Sequence, residues 1–303
     1  MSETAAKQTI SYLARRLAAT GIRPTARHGQ NFLIDQNLLR LIVERAELDN
    51  RDVVLEVGTG TGALTALVAP RVAAVVTVEI SEALYQLAGE ELMGLANVVM
   101  LRADALANKS RLNPAVVVAV GQQLAIDASR RLKLVANLPY NVATPVIANL
   151  LCSSIVPHSM TVTVQKEVAD RIVARPGTKD YGALGVWVQS QCRVELVRTL
   201  PPSVFWPRPK VTSAIVHIAL DEQLRGRIAD LTFFHGFVRA LFLHRRKFLR
   251  SVLAAALKGR LDKPAIDQIL AQGRFEGECR AEQLDPETIL RLADEVRRRL
   301  AET

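Results

Sequence analysis

Cysteine is scarce in this chain: Cys152, Cys192 and Cys279 are its three, and they lie far apart in sequence. That spacing excludes a disulfide framework and a cysteine-based metal site, and it suits reduced thiols. No metal is expected. No apolar run approaches the ~20 residues that a membrane-spanning helix needs. Nothing at the N-terminus reads as a secretory signal, so the expected location is cytoplasmic. Arg15, Arg16 and Arg23 give that end something of a transit peptide. With Ile10, Tyr12, Leu13 and Leu17 it reads instead as an amphipathic helix. Internal repeats and low-complexity stretches are also missing. Hydrophobic residues make up 49% of the 303, which excludes global disorder and allows one sizeable core or two domains. Charge of one sign runs short as well. Against 39 Lys and Arg there are 30 Asp and Glu, leaving +9, as suits a polyanionic partner.

The most informative segment is Asn137-Leu138-Pro139-Tyr140, which closes the apolar run Leu132, Leu134, Val135, Ala136. It reads as a strand that stops abruptly, and in an open α/β sheet ligands bind at that carboxyl edge. An Asn side-chain oxygen and a fixed backbone carbonyl can both accept from an exocyclic amine, while Tyr140 stacks on the ring that carries it. Those are the groups needed to hold an adenine N6 for methylation. The alternative is an ordinary strand-to-turn corner, because Asn and Pro are common turn formers.

Upstream, Val53 to Val57 reads as a buried strand running into Gly58-Thr59-Gly60-Thr61-Gly62, with a helix from Ala63 to Val68. Glycines at such a turn let the backbone approach a ligand closely. The next apolar run, Ala73 to Val78, ends at Glu79, roughly twenty residues past the first glycine, where an acid can bind ribose hydroxyls. A third run, Asn97 to Leu101, is followed by Asp104, placed to accept from an adenine amine. A nicotinamide enzyme would start similarly. Two absences favour S-adenosylmethionine. The loop has no Gly-Lys-Ser/Thr ending, as a phosphate-binding loop would, and its glycines are spaced Gly-x-Gly-x-Gly.

These residues carry a resemblance. Together with His28-Gly29-Gln30-Asn31-Phe32-Leu33, Glu56-Val57-Gly58, Gln165 to Arg171, Pro201 to Val211 and His244-Arg245-Arg246-Lys247, the chain resembles the KsgA-type small-subunit ribosomal RNA adenine N6,N6-dimethyltransferase family. The resemblance implies dimethylation at N6 of two adjacent adenines near the 3′ end of small-subunit (16S) rRNA, with a role in small-subunit biogenesis. It implies S-adenosylmethionine contacts at Asn31, Leu33, Gly58, Glu79, Asp104 and Asn137. There are departures: Ser81 stands where an acid is usual, Thr59 where a proline is usual, and Asn113 to Arg131 reads as an insertion.

Helical and strand patterns alternate from Val53 to about Ala174, which argues for a parallel, doubly wound sheet. Strands are expected at Val53–Val57, Val75–Glu79, Val98–Leu101, Leu132–Asn137 and Met160–Gln165, and a closing antiparallel pair at Arg193–Leu200 and Ser213–Leu220. Helices are expected at Ile228 to Leu243, Lys247 to Leu257, Pro264 to Gln272 and Pro286 to Leu300. The pattern gives an α/β fold class; with the resemblance, it implies a Rossmann-like S-adenosylmethionine-dependent methyltransferase domain over 1–220, with a helical lead-in over 1–50, and a small all-helical RNA-binding domain over 221–303.

The chemistry expected is an in-line displacement in which Asn137, Leu138, Pro139 and Tyr140 present the amine. No His or Cys is placed by motif to act as a base. Phe205, in the proline-rich loop, is expected on the other face of the flipped base, or else as a core aromatic beside Trp206. From His235 to Arg260 there are seven Lys or Arg and no acid. Arg245, Arg246, Lys247 and Arg250, with Arg208 and Lys210, are the expected RNA contacts, a solvated helix face being the plainer reading of such a run. The partner is small-subunit rRNA or a pre-small-subunit particle, bound by a monomer. A large-subunit rRNA adenine methyltransferase or a non-catalytic assembly factor are the alternatives.

Overall fold

Runs of β-branched residues with no polar alternation mark strands covered on both faces, and the middle of the sheet is built largely from such runs. In the computed structural model residues 31–245, 247–275 and 278–302 are described. The N-terminal amphipathic segment, His28 to Gln30 and Arg246 lie outside them. The strands are β1 (Phe32–Leu33), β2 (Asp52–Val57), β3 (Ala74–Glu79), β4 (Val98–Arg102), β5 (Leu106–Asn108), β6 (Arg111–Leu112), β7 (Arg131–Asn137), β8 (Ser159–Gln165), β9 (Cys192–Leu200), β10 (Phe205–Trp206) and β11 (Ser213–Leu220). Every residue of β2 and β3 is buried.

Seven strands form one sheet in the order β4-β3-β2-β7-β8-β11-β9. The pairs β2–β3, β3–β4, β2–β7 and β7–β8 are parallel, and β11 runs antiparallel to β8. The chain steps outward from β2 to β3 and β4, then returns to the other side of β2 with β7. That reversal is a topological switch point, and the carboxyl ends of β2 and β7 flank it. All five expected parallel strands and the closing pair are present. The stretch expected as an insertion is mostly a helix, Pro114–Ala125, capped by Asn113, with Val116, Ala119 and Val120 buried. It packs on β2, β3 and β7.

The chain forms two compact units: Met1–Ala169 with Glu195–Ala219, and Asp170–Val194 with Leu220–Thr303. The expected boundary near Leu220 marks only one of the places where the chain passes between them. Asp170–Val194 belongs with the helical unit, contrary to the expected single stretch of 1–220. The reason is aromatic. The Trp187 ring lies 4.6 Å from His235 and 6.1 Å from Phe234, and the Tyr181 hydroxyl donates to the Leu284 carbonyl at 2.8 Å. In this unit Asp230, Asp262 and Asp285 cap the helices Leu231–Leu241, Lys263–Gln272 and Pro286–Ala301. Each such cap contributes about 1 kcal/mol. The Asp230 cap starts its helix later than the expected Ile228.

Candidate active site

At the switch point the glycine turn takes a path that side chains resist. Gly58 and Gly60 have φ of 86° and 58°. A Cβ on Gly58 would stand 3.2 Å from the Pro139 ring, and one on Gly60 3.3 Å from the Phe32 ring. Both glycines are therefore required by conformation and by close approach. The Gly58 amide donates to the Val78 carbonyl at 2.8 Å, which ties the turn to β3.

Glu79, 5% exposed, ends β3. Its two carboxylate oxygens accept from Gly60 N at 3.0 Å and Ser81 N at 2.9 Å. Burial pushes its pKa up, and the Ser81, Gly60 and Ile80 amides oppose that shift. A carboxylate has about four acceptor positions, so capacity remains for ribose hydroxyls. Ser81, found where an acid was usual, serves as cap of the helix Glu82–Glu91. Asp104 follows β4; its Oδ1 accepts from Leu106 N at 2.9 Å, and Asn113 Nδ2 donates to its carbonyl at 2.9 Å.

Asn137 ends β7. Its Nδ2 donates to the Asn31 carbonyl at 2.9 Å, which fixes the direction of the amide. Its Oδ1 is buried and has no partner, and the same holds for Asn31 Oδ1. Buried acceptors are normally paired, and Asn137 lines the cleft, where a bound group can supply the donor. Leu138 N donates to the Thr163 carbonyl at 3.1 Å, and Val142 N to Pro139 O at 3.1 Å, closing the turn. The Tyr140 hydroxyl meets Ser213 Oγ at 2.5 Å, which tethers the ring, and burial pushes its pKa up.

A cavity of about 130 Å³ brings together Asn31, Gly58, Glu79, Asp104, Asn137 and Pro139. Phe32, Ile80 and Leu84 supply its apolar wall. Phe32 and Ile80 had no role assigned from sequence, although Phe32 sits inside a quoted motif and Ile80 directly follows Glu79, the acid expected to meet ribose. Leu33 does not line this cavity. It pairs with Phe205 across β1 and β10, and its side chain lies in the core. The period of two in a strand explains it: Phe32 takes the cleft side and Leu33 the core side.

Phe205 is likewise corrected. It is 2% exposed and packs with Leu33, Leu200 and Ile215, so it is the core aromatic and not a cover for the base. The expected RNA cluster is also thinner than its sequence. Arg245 donates to the Glu282 carboxylate and to the Lys179 and Thr178 carbonyls. Arg250 grips Asp267 through Nε and Nη2 at 2.5 and 2.8 Å. The balancing acids lie outside the window from His235 to Arg260, which is why the run read as unopposed. Lys247, Arg208 and Lys210 are exposed.

Residues 23–295 match the family described as Ribosomal RNA adenine dimethylase. The chain belongs to that family. A protein named Ribosomal RNA small subunit methyltransferase A from Halothermothrix orenii is 38% identical over 260 residues, 84% of this chain and 82% of that protein. One of the same name from Clostridium acetobutylicum is 36% identical over 277 residues, 91% and 95%. Among solved structures, a dimethyladenosine transferase from Plasmodium falciparum superposes with a TM-score of 0.73 at 24% identity, covering 87% of this chain and 96% of that one. The 23S rRNA methyltransferase ErmE gives 0.60 at 24%, covering 88% and 100%. These two likenesses show the Rossmann-like fold.

As an adenine dimethylase, the protein is an S-adenosylmethionine-dependent methyltransferase, and the cavity fits that cofactor. The glycine turn admits close approach, Glu79 offers carboxylate acceptors at a strand end, and Asp104 and Ile80 face the same space. Among the described residues no helix is long and apolar enough to cross a membrane.

Proposed function

We propose that this protein dimethylates N6 of two adjacent adenines near the 3′ end of small-subunit rRNA, acting as a cytoplasmic monomer on the RNA or on a pre-small-subunit particle during small-subunit biogenesis. The observation that carries the reading is the orphaned Asn137 Oδ1, buried at the carboxyl end of β7 beside the glycine turn. An exocyclic amine is the donor this acceptor lacks. Membership of the adenine dimethylase family and the names of the relatives support the choice of RNA. The large-subunit reading is less favoured, because the likeness to ErmE is one of fold.

S-adenosylmethionine, when bound, supplies a sulfonium methyl to the nitrogen. The chain's own task is placement. Positioning can contribute roughly 7–11 kcal/mol to lowering such a barrier. The N6 lone pair is delocalised into the ring. A hydrogen bond from the amine to Asn137 Oδ1, with a second to the Leu138 carbonyl, favours a pyramidal nitrogen and turns its lone pair toward the methyl. Tyr140, held through Ser213, offers a ring to stack on the base. The methylated nitrogen is cationic and strongly acidic, so its proton passes to water and no basic side chain is needed.

Mass spectrometry of small-subunit rRNA from cells with and without the protein tests this reading. Loss of dimethyladenine from small-subunit RNA is expected. A loss confined to large-subunit RNA would overturn it. Replacing Lys247, Arg208 and Lys210 together is expected to lower the log–log salt slope of RNA binding by about 0.7–0.9 per contact. Arg245→Ala is expected to destabilise the helical unit instead, since its guanidinium already binds Glu282, Lys179 and Thr178.

A further inference from the structure

Beneath the glycine turn lies a group of buried hydroxyls around a buried acid. Glu56, 3% exposed, points from β2 into this space. Its Oε2 accepts from Thr65 Oγ1, on the helix after the turn, and from Thr77 Oγ1 of β3 at 3.0 Å. Thr59 Oγ1, inside the turn, lies 2.6 Å from Thr77 Oγ1. A threonine hydroxyl has one proton. The three groups form one continuous chain, Thr59 to Thr77 to Glu56, which stays bonded whichever way its protons run.

We infer that Thr59 is a positioning residue for the methyl donor, its hydroxyl tying the glycine turn through Thr77 to Glu56 and holding Gly58 and Gly60 at the height the cofactor requires. The turn is closed on itself by Gly62 N, which donates to the Thr59 carbonyl at 2.9 Å. Gly58 N and Thr59 N share the Val78 carbonyl at 2.8 and 3.3 Å, and Gly60 N reaches Glu79. The last of these lies on the cofactor side, so the threonine relay supplies the grip from below. A proline at 59, which the resemblance led one to expect, would fix φ without any such bond. Thr59, Thr65 and Thr77 are all buried, so each hydroxyl needs a partner. The group at the end of the chain can either accept from a hydroxyl or, when protonated, donate to one. Burial pushes the Glu56 carboxyl up to about 8, opposed by the Thr65 and Thr77 donors and reinforced by Glu79.

The inference rests on S-adenosylmethionine as the cofactor, and its test separates the two. Thr59→Val keeps the shape and removes the hydroxyl. It is expected to weaken S-adenosylmethionine binding, measured by calorimetry, about three- to tenfold, and to raise KM equally. Turnover at saturating cofactor should stay within about twofold, because that binding is made before the transition state. Thr59→Ser is expected to restore affinity. Thr59→Ala and Thr59→Ser both lack the methyl and differ in the hydroxyl alone, so their difference decides the matter even if the valine variant does not fold. Amide exchange across Gly58–Gly62 in the cofactor-free protein is expected to quicken in Ala and not in Ser. Equal affinity and exchange in Ala and Ser would overturn the relay while leaving the cofactor in place. A wild-type protein without affinity for S-adenosylmethionine would overturn both.

Discussion

Strands β2 and β7 lie side by side in the middle of the sheet, yet their two ends are finished in opposite ways. At the amino edge, Asp52 is 0% exposed and pairs with Lys133 Nζ at 3.0 Å and Arg131 Nε at 2.7 Å. Lys133, 3% exposed, also donates to the Ala46 and Glu47 carbonyls at 2.9 and 2.6 Å. Arg131 extends the network to Asp49 at 2.9 Å. At the carboxyl edge β2 runs into Gly58 and β7 ends at Asn137, and there the buried amide oxygens of Asn137 and Asn31 have no partner. One end satisfies its polar groups within the chain, and the other keeps acceptors free at a cost in stability. A single strand pair thus carries a structural anchor and a binding site, divided by its direction.

The largest expected effect separates the two ends by stability. Lys133→Met leaves the buried Asp52 with Arg131 and the Asp49 amide at 2.7 Å, so the cost should lie toward the lower end of the about 3–5 kcal/mol for breaking a buried pair. Denaturant unfolding should show that loss while activity per folded molecule is retained. A cost below about 1 kcal/mol would erase the contrast. Asn137→Ala is the converse. Single-turnover methyl transfer should fall by about 10²–10³, as for other oriented groups acting in a transition state, with the unfolding midpoint little changed. Near-normal turnover would refute its role. Next comes Glu79→Ala, which removes charge-assisted acceptors and should weaken S-adenosylmethionine binding about 10- to 100-fold; unchanged affinity in calorimetry would sink that assignment.

The smallest effect is on pH, and there the ends should differ in sign. Burial holds the Glu56 carboxyl up to about 8 from an ordinary 4.5. The folded state then binds more protons than the unfolded one between those values, so this group's contribution falls as pH rises through that window. At the other end, hydrogen bonds from the Arg51 side chain and backbone, with the nearby Arg131 charge, lower Asp49 to about 2 from 3.8. Its contribution is present above 3.8 and is lost as pH falls toward about 2. Stability curves of Glu56→Gln and Asp49→Asn against wild type should lose these slopes at opposite ends of the pH range. Parallel curves would show that neither carboxyl titrates with folding.

Much of the carboxyl edge was legible because its signals are local. A glycine triplet after an apolar run, acids at the next two strand ends and Asn137 before a proline each carry their meaning within a few residues. The strands were legible for the same reason. What failed depends on partners distant in sequence. Phe205 is buried because β10 finds β1, and Leu33 follows it into the core. Tyr181 and Trp187 join the helical unit through Leu284, Phe234 and His235. Arg245 and Arg250 looked free because Glu282 and Asp267 are later in the chain. Lys133 sat unremarked in an apolar strand, since nothing beside it announces Asp52.

The two-residue ladder of β1 and β10 sets an order on synthesis. Phe32, which walls the cleft, pairs with Trp206, Leu33 pairs with Phe205, and Ile34 N donates to the Val204 carbonyl at 3.0 Å. The glycine turn, Glu79, Asp104 and Asn137 are all translated well before those partners exist. A nascent chain can therefore pair its central parallel strands while the cleft still lacks the ladder that seats its first wall. The methyl-donor site is completed when residue 206 leaves the exit tunnel, late in translation, and a chain released earlier carries the motifs without the finished cavity.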